Sequence, residues 1–207
     1  MSISPRYALS HTLGPNTAHK IEVYLDYVCP YSAKAWRRLR SEIIPALDAK
    51  FPGKVQFIFR HQIQPWHPQS TLVHEAGLAV SVLSPEKFFE FNDVLFERSP
   101  EYYDEALYNE TRPETYKRLA KLANESVNVS VEEFLKLVEV PPLPAGAEKA
   151  LNKGNALAVD LKYFIKQARQ NSIHVSPTFV IDGITEPGLE SGTALDVWYE
   201  KIAALRD

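Results

Sequence analysis

Apolar Ile21, Val23 and Leu25 alternate with Glu22, Tyr24 and Asp26, the two-residue period of a half-buried strand ending near Tyr27. From Pro30 the period changes. Trp36, Leu39, Ile43 and Leu47 recur at helical spacing, while Lys34, Arg37, Arg38 and Arg40 fall on the other faces as a solvated surface. Pro30 suits the first helical position, where its missing N–H had no partner to lose. Pro45 lies inside the same pattern and is expected to kink or end the helix near Glu42. A second strand is predicted over 55–59, entered through the Pro52-Gly53 turn. It runs out at Arg60-His61 into a Gln- and Pro-containing loop with Trp66 and His67.

The stretch 69–155 reads as entirely helical. Helices are predicted over 70–82, 85–98, 113–126 and 131–138, with Ser84-Pro85 and Arg112-Pro113 as start signals. Pro141, Pro142 and Pro144 interrupt before a long helix expected over 147–170, in which Leu157, Leu161, Phe164 and Ala168 cover one face. A strand pattern returns over 178–181. Asp182-Gly183 is a hairpin-turn pair, a short strand follows around Ile184, and a last helix is expected over 191–205. The order is therefore β-α-β, a helical block, then α-β-β-α: an α/β domain in two parts, 19–68 and 156–207, with a helical domain inserted over 69–155. Phe88, Phe89, Phe91 and Phe96 crowd one helix of the insert. Core packing accounts for them, with a homodimer face as the alternative.

Composition changes this picture little. A chain of 207 residues with 45% hydrophobic content can fill a sizeable core. Its net charge of -3 gives no electrostatic case for nucleic acid or an anionic membrane. No apolar run approaches the roughly 20 residues of a membrane span. Residues 1–18 hold no apolar leader segment and read as a partly ordered lead-in. Glycosylation sequons stand at Asn109, Asn124 and Asn128. A single cysteine and the missing leader favour a reducing, cytoplasmic location over their use. His61, His67 and His74 are not joined by a cysteine or carboxylate at tight ligand spacing, so no metal site is expected.

The lone cysteine carries the candidate chemistry. Cys29 opens a Cys29-Pro30-Tyr31-Ser32 run between the first strand and the first helix, and Val175-Ser176-Pro177-Thr178 leads into the strand over 178–181. Asp26-Tyr27-Val28-Cys29-Pro30-Tyr31-Ser32, the Arg60-His61 strand end, the helical insert and the Val175-to-Gly183 segment together resemble the DsbA-like branch of thioredoxin-fold proteins. The likeness covers most of the chain from about Lys20. It implies an α/β thioredoxin fold with a large all-helical insertion. It also implies a cis peptide before Pro177 opposite the thiol, with Ser176 offering its backbone to an extended peptide or to glutathione. The same branch is similar to the kappa-class glutathione transferases and the 2-hydroxychromene-2-carboxylate isomerases, which carry serine where this chain has Cys29.

A helix beginning at Pro30 places Cys29 at its N-cap, where free N–H groups and the helix dipole favour thiolate over thiol. Ser32, at N3, is expected to donate a hydrogen bond to the sulfur, but it cannot attack a mixed disulfide, so release needs an outside thiol. Tyr31 cannot supply the charge that histidine gives strongly oxidising relatives. Cys29 and Ser32 are thus the expected catalytic pair. Pro30, Tyr31, Ser176, Pro177, His61 and Trp66 are the expected substrate contacts. Asp26 is expected to tie down a loop, with proton relay as the alternative. The function expected is monothiol thiol–disulfide exchange on glutathione or protein mixed disulfides, with no tightly bound cofactor and glutathione as co-substrate. A kappa-type glutathione transferase or isomerase and a non-catalytic binding module stand as alternatives.

Overall fold

Strand β2 (His19–Leu25) lies at the centre of a five-stranded sheet ordered β1-β3-β2-β4-β5. It runs parallel to β3 (Val55–His61), Val23 opposite Phe59, and antiparallel to β4 (Thr178–Ile181), Ile21 opposite Ile181. Two-residue strands β1 (Thr12–Leu13) and β5 (Ile184–Thr185) close the edges. The structure is a computed structural model describing residues 3–16, 19–146, 149 and 152–206. Parallel β2 and β3 require a crossover, supplied by α2 (Pro30–Arg38) and α3 (Ile44–Lys50). The irregularity expected near Glu42 is present, since α2 ends at Arg38, but the chain stays helical through Pro45. A π-helical turn over Leu39–Ile43 joins the two helices, and Pro45 falls in the first turn of α3, where no N–H is needed.

β2 is also not half-buried. Glu22, Tyr24 and Asp26 are as inaccessible as the apolar residues between them. Helix α8 (Ala158–Gln170) covers the second face, with Tyr24 against Ala168, Ile173 and Val180. Gln167 Nε2 donates to Tyr24 Oη at 2.7 Å. Glu22 is held by Arg60 Nε at 2.7 Å across the parallel strand pair, with both side chains fully buried. A polar residue on a strand marks solvent only when nothing packs there, and here each has a partner.

The insert consists of α4 (Ser70–Leu83), α5 (Phe88–Glu97), α6 (Arg112–Val127) and α7 (Val131–Val138). Single 3-10 turns over Pro85–Lys87 and Ser99–Tyr102 bracket α5. Thr111 and Glu114 form a reciprocal capping box that fixes the start of α6. One hydrophobic cluster joins Val23, Phe59 and Trp36 of the α/β part to Phe88, Phe91, Phe96 and Phe134 of the insert. The aromatic helix is thereby spent on the core.

Two boundaries shift. Residues 147, 148, 150 and 151, where the long helix was expected to begin, lie outside the described residues. Over 152–157 the chain is not helical, and α8 starts at Ala158. The last helix, α9 (Leu195–Ala203), begins after a turn in which Thr193 Oγ1 accepts from the Glu190 N–H at 2.7 Å. The lead-in is more ordered than expected over its described part. Helix α1 (Pro5–His11) buries Tyr7, Ser10 and His11, and Tyr7 Oη donates to Asp160 Oδ1 at 2.6 Å. Among the described residues no helix is long and apolar enough to cross a membrane.

Candidate functional site

Cys29 is the N-cap of α2: its backbone is extended, and its carbonyl accepts the first helical bond from the Ala33 N–H at 3.0 Å. Pro30 occupies N1, as its fixed φ favours. The residue is 6% exposed, at the bottom of a surface where neighbouring Tyr31 is 68% exposed. Across from it the Ser176–Pro177 peptide is cis. The sulfur donates to the Ser176 carbonyl at 3.5 Å, so two segments 147 residues apart meet at the thiol. The Ser176 hydroxyl is buried and has no hydrogen-bond partner.

Ser32 departs from its expected geometry. Its hydroxyl oxygen, fully buried, accepts from the Asp26 N–H at 3.2 Å; among the described residues no bond from Ser32 to the sulfur is formed. The side chain braces the turn before Cys29.

Asp26 organises that turn. Its Oδ1 accepts from the Val28 N–H at 3.1 Å and the Ser70 hydroxyl at 2.9 Å, and Oδ2 from the Gln64 N–H at 3.1 Å. His67 Nδ1 lies 3.1 Å from Oδ2. His74 Nε2 lies 3.4 Å from Oδ1, within ion-pair range but off hydrogen-bond alignment. Burial raises the carboxyl, but His74, His67 and the Val28 N–H outweigh it and hold the group below the ordinary aspartate range. A charged Asp26 therefore pins the β3–α4 loop and the start of α4 to the backbone one residue before Cys29.

His61, expected in the cleft, belongs instead to the core and is fully inaccessible. Its Nε2 sits 3.0 Å from His11 Nε2 and its Nδ1 2.7 Å from His74 Nδ1, while His11 Nδ1 lies 2.7 Å from Ser10 Oγ. Three imidazoles thus form a buried series from α1 to Asp26. Burial holds His61 well below the ordinary histidine value, aided by His74 and His11. Burial does the same for His11, aided by the Arg60 charge. The Ser10 hydroxyl donates to the Tyr7 carbonyl at 3.3 Å, so its oxygen accepts from His11 Nδ1; with His11 and His61 neutral, His61 Nε2 then donates to His11, and His61 Nδ1 accepts from His74. The rings lie in line rather than around a centre, and among the described residues no group of three or more candidate ligands could hold a metal. Sequence carries no sign of this series, because His11 and His61 are 50 residues apart.

Trp66 is 57% exposed and lines a cleft of about 320 Å³ between the β3–α4 loop and the C-terminal end of α8. The structure therefore brings Cys29 and Ser176 into contact, sets Tyr31 and Trp66 at the surface, and removes His61. Gln64, which also lines that cleft, was not expected as a site residue.

A cysteine capping a helix beside a cis X-Pro segment on a mixed sheet defines a thioredoxin-type thiol centre. The chain belongs to the thioredoxin family: a family model described as Thioredoxin matches residues 9–187. Its structural neighbours share the thioredoxin fold with a helical insertion. A Pseudomonas syringae protein described as a candidate protein-disulfide isomerase is 26% identical, with a TM-score of 0.71 covering 93% of this chain and 97% of that one. BdbD from Bacillus subtilis shares 21% identity at a TM-score of 0.60, covering 94% and 91% of the two chains. The thiol-disulfide exchange protein α-DsbA2 from Wolbachia pipientis shares 18% at 0.62, covering 95% and 87%; these last two likenesses speak to fold alone. No curated protein matches the chain.

Proposed function

We propose that the protein is a monothiol thiol–disulfide oxidoreductase in which Cys29 exchanges disulfides with glutathione or with protein mixed disulfides. The observation that carries this reading is the contact of the Cys29 sulfur with the Ser176 carbonyl at 3.5 Å beside the cis peptide. An extended substrate laid along that segment has its own sulfur beside Cys29. The thiolate attacks one sulfur of the incoming disulfide, a bond to Cys29 forms, and the other sulfur leaves with the electron pair of the broken S–S bond. Ser32 has no sulfur with which to expel the adduct. A second thiol from solution attacks the mixed disulfide and regenerates the Cys29 thiolate. A lone cysteine fits a reducing compartment such as the cytoplasm, where free glutathione supplies that thiol.

Incubation with oxidised glutathione followed by intact mass spectrometry tests the reading. One glutathionyl group is expected on the wild type, discharged by reduced glutathione, and none on Cys29→Ser. Absence of any adduct on the wild type would reject it.

A further inference from the structure

The Gln64 side chain is 1% exposed, and neither its amide nitrogen nor its carbonyl oxygen has a hydrogen-bond partner. Its backbone is fully used, donating to Asp26 Oδ2 and accepting from the His67 N–H at 3.1 Å. Buried polar atoms are normally paired, and Gln64 is one of the residues lining the 320 Å³ cleft, its carboxamide lying just beneath that wall. Whichever way the amide is turned, a donor and an acceptor sit side by side, the complement of another amide group. The cleft walls are mainly apolar, from Ile63, Trp66, Ile165 and Ile173, and Arg169 and His174 also line it. No acidic residue lines it, so its fixed charge is the Arg169 guanidinium, which suits a carboxylate.

Two walls of the cleft are tied by short stretches of chain and a hydrogen bond to the segments that hold the thiol. His174, on its wall, is two residues from Ser176, and two residues of extended chain span at most about 7 Å. On the other wall Gln64 hangs from Asp26, three residues before Cys29. A volume near the low end of small-molecule sites fits a ligand of a few residues rather than a protein loop. In a ligand of three extended residues, a central thiol lies about 5 Å along the chain from either end.

We infer that this cleft is a subsite of the Cys29 centre that takes a small peptide thiol or its disulfide, pairing an amide of that ligand with Gln64 and a terminal carboxylate with Arg169. The inference rests on the proposed exchange function for its use of Cys29, but the subsite is testable without any exchange.

S-methylglutathione, whose sulfur cannot exchange, is the probe, titrated calorimetrically into wild type, Cys29→Ala, Gln64→Leu and Arg169→Gln. Wild type and Cys29→Ala are expected to bind alike, with affinity at least tenfold weaker in Gln64→Leu and several-fold weaker in Arg169→Gln. If Gln64→Leu does not fold, the exposed Arg169 variant carries the comparison. No binding by the wild type, or equal binding by both cleft variants, overturns the subsite. Bis(2-hydroxyethyl) disulfide, which lacks both amide and carboxylate, reports separately on exchange. Its reaction with Cys29 in the absence of S-methylglutathione binding would leave the exchange function standing and remove only the subsite. Binding without any reaction would do the reverse.

Discussion

Lowering the pH from about 7 to about 5 is expected to remove folding stability through His11 and His61 alone, up to a limit of roughly 4 kcal/mol if both rings stay neutral throughout. Both rings are fully buried and their basicity falls well below the ordinary value of 6.5, chiefly because burial disfavours the charged ring. In the unfolded chain each takes a proton as the pH passes 6.5; in the native state neither does while burial keeps it neutral. The unfolded state then binds more protons, so stability is complete above about pH 7 and declines below it. Each group contributes about 1.4 kcal/mol per pH unit once well below 6.5, and integrating two groups over that range gives the figure above. Asp26 is depressed in the opposite chemical class: its contribution is present above the unfolded value of 3.8 and is lost only as pH falls below that, outside this window. Urea unfolding followed by far-UV circular dichroism at three pH values measures the slope. His11→Phe, which keeps a ring between Phe88 and Phe164, is expected to lose about half of it. A stability independent of pH over this interval, or an equal slope in the variant, would refute the assignment of neutral buried imidazoles.

Two further outcomes concern the thiol turn. A Cβ on Gly77 of α4 would stand 2.7 Å from Tyr27 Oη, which is buried and donates to Asn92 Oδ1 at 2.6 Å. Overpacking of about 1–3 kcal/mol outweighs the about 1 kcal/mol that alanine gains in a helix, so Gly77→Ala should melt lower; a higher midpoint would contradict the close approach. Ser32→Cys restores a second sulfur within the same helical turn. Its glutathionyl adduct is expected to resolve into an internal disulfide without added thiol, at a stability cost of about 1–3 kcal/mol for the Asp26 N–H bond lost. Persistence of the adduct at the wild-type level would show that position 32 does not face the sulfur.

Several features were legible in the chain because they are local. The strand-to-helix switch at Cys29-Pro30, the capping proline, the Asp182-Gly183 turn and the helical run over the insert each depend on residues a few positions apart. The family likeness followed from two such fragments. Boundaries set by packing were not legible. Pro45 reads as a helix breaker until a π turn absorbs it. The Glu22, Tyr24 and Asp26 face of β2 reads as solvated until α8 and Arg60 cover it. His61 was placed in the cleft because it follows a strand end, whereas its partners come from α1 and α4.

The sequence by itself determined a thiol at a helix N-cap without a second sulfur, and hence a site that cannot close an internal disulfide. That follows from residue identity and near-neighbour geometry. Only the tertiary structure decided what surrounds the thiol: the Ser176 carbonyl at the sulfur, the charged Asp26 under the turn, the buried imidazole series and the unpartnered Gln64 in its cleft. Each depends on contacts between segments tens to more than a hundred residues apart. Burial, not spacing, sets which polar groups find partners and which are left for a ligand.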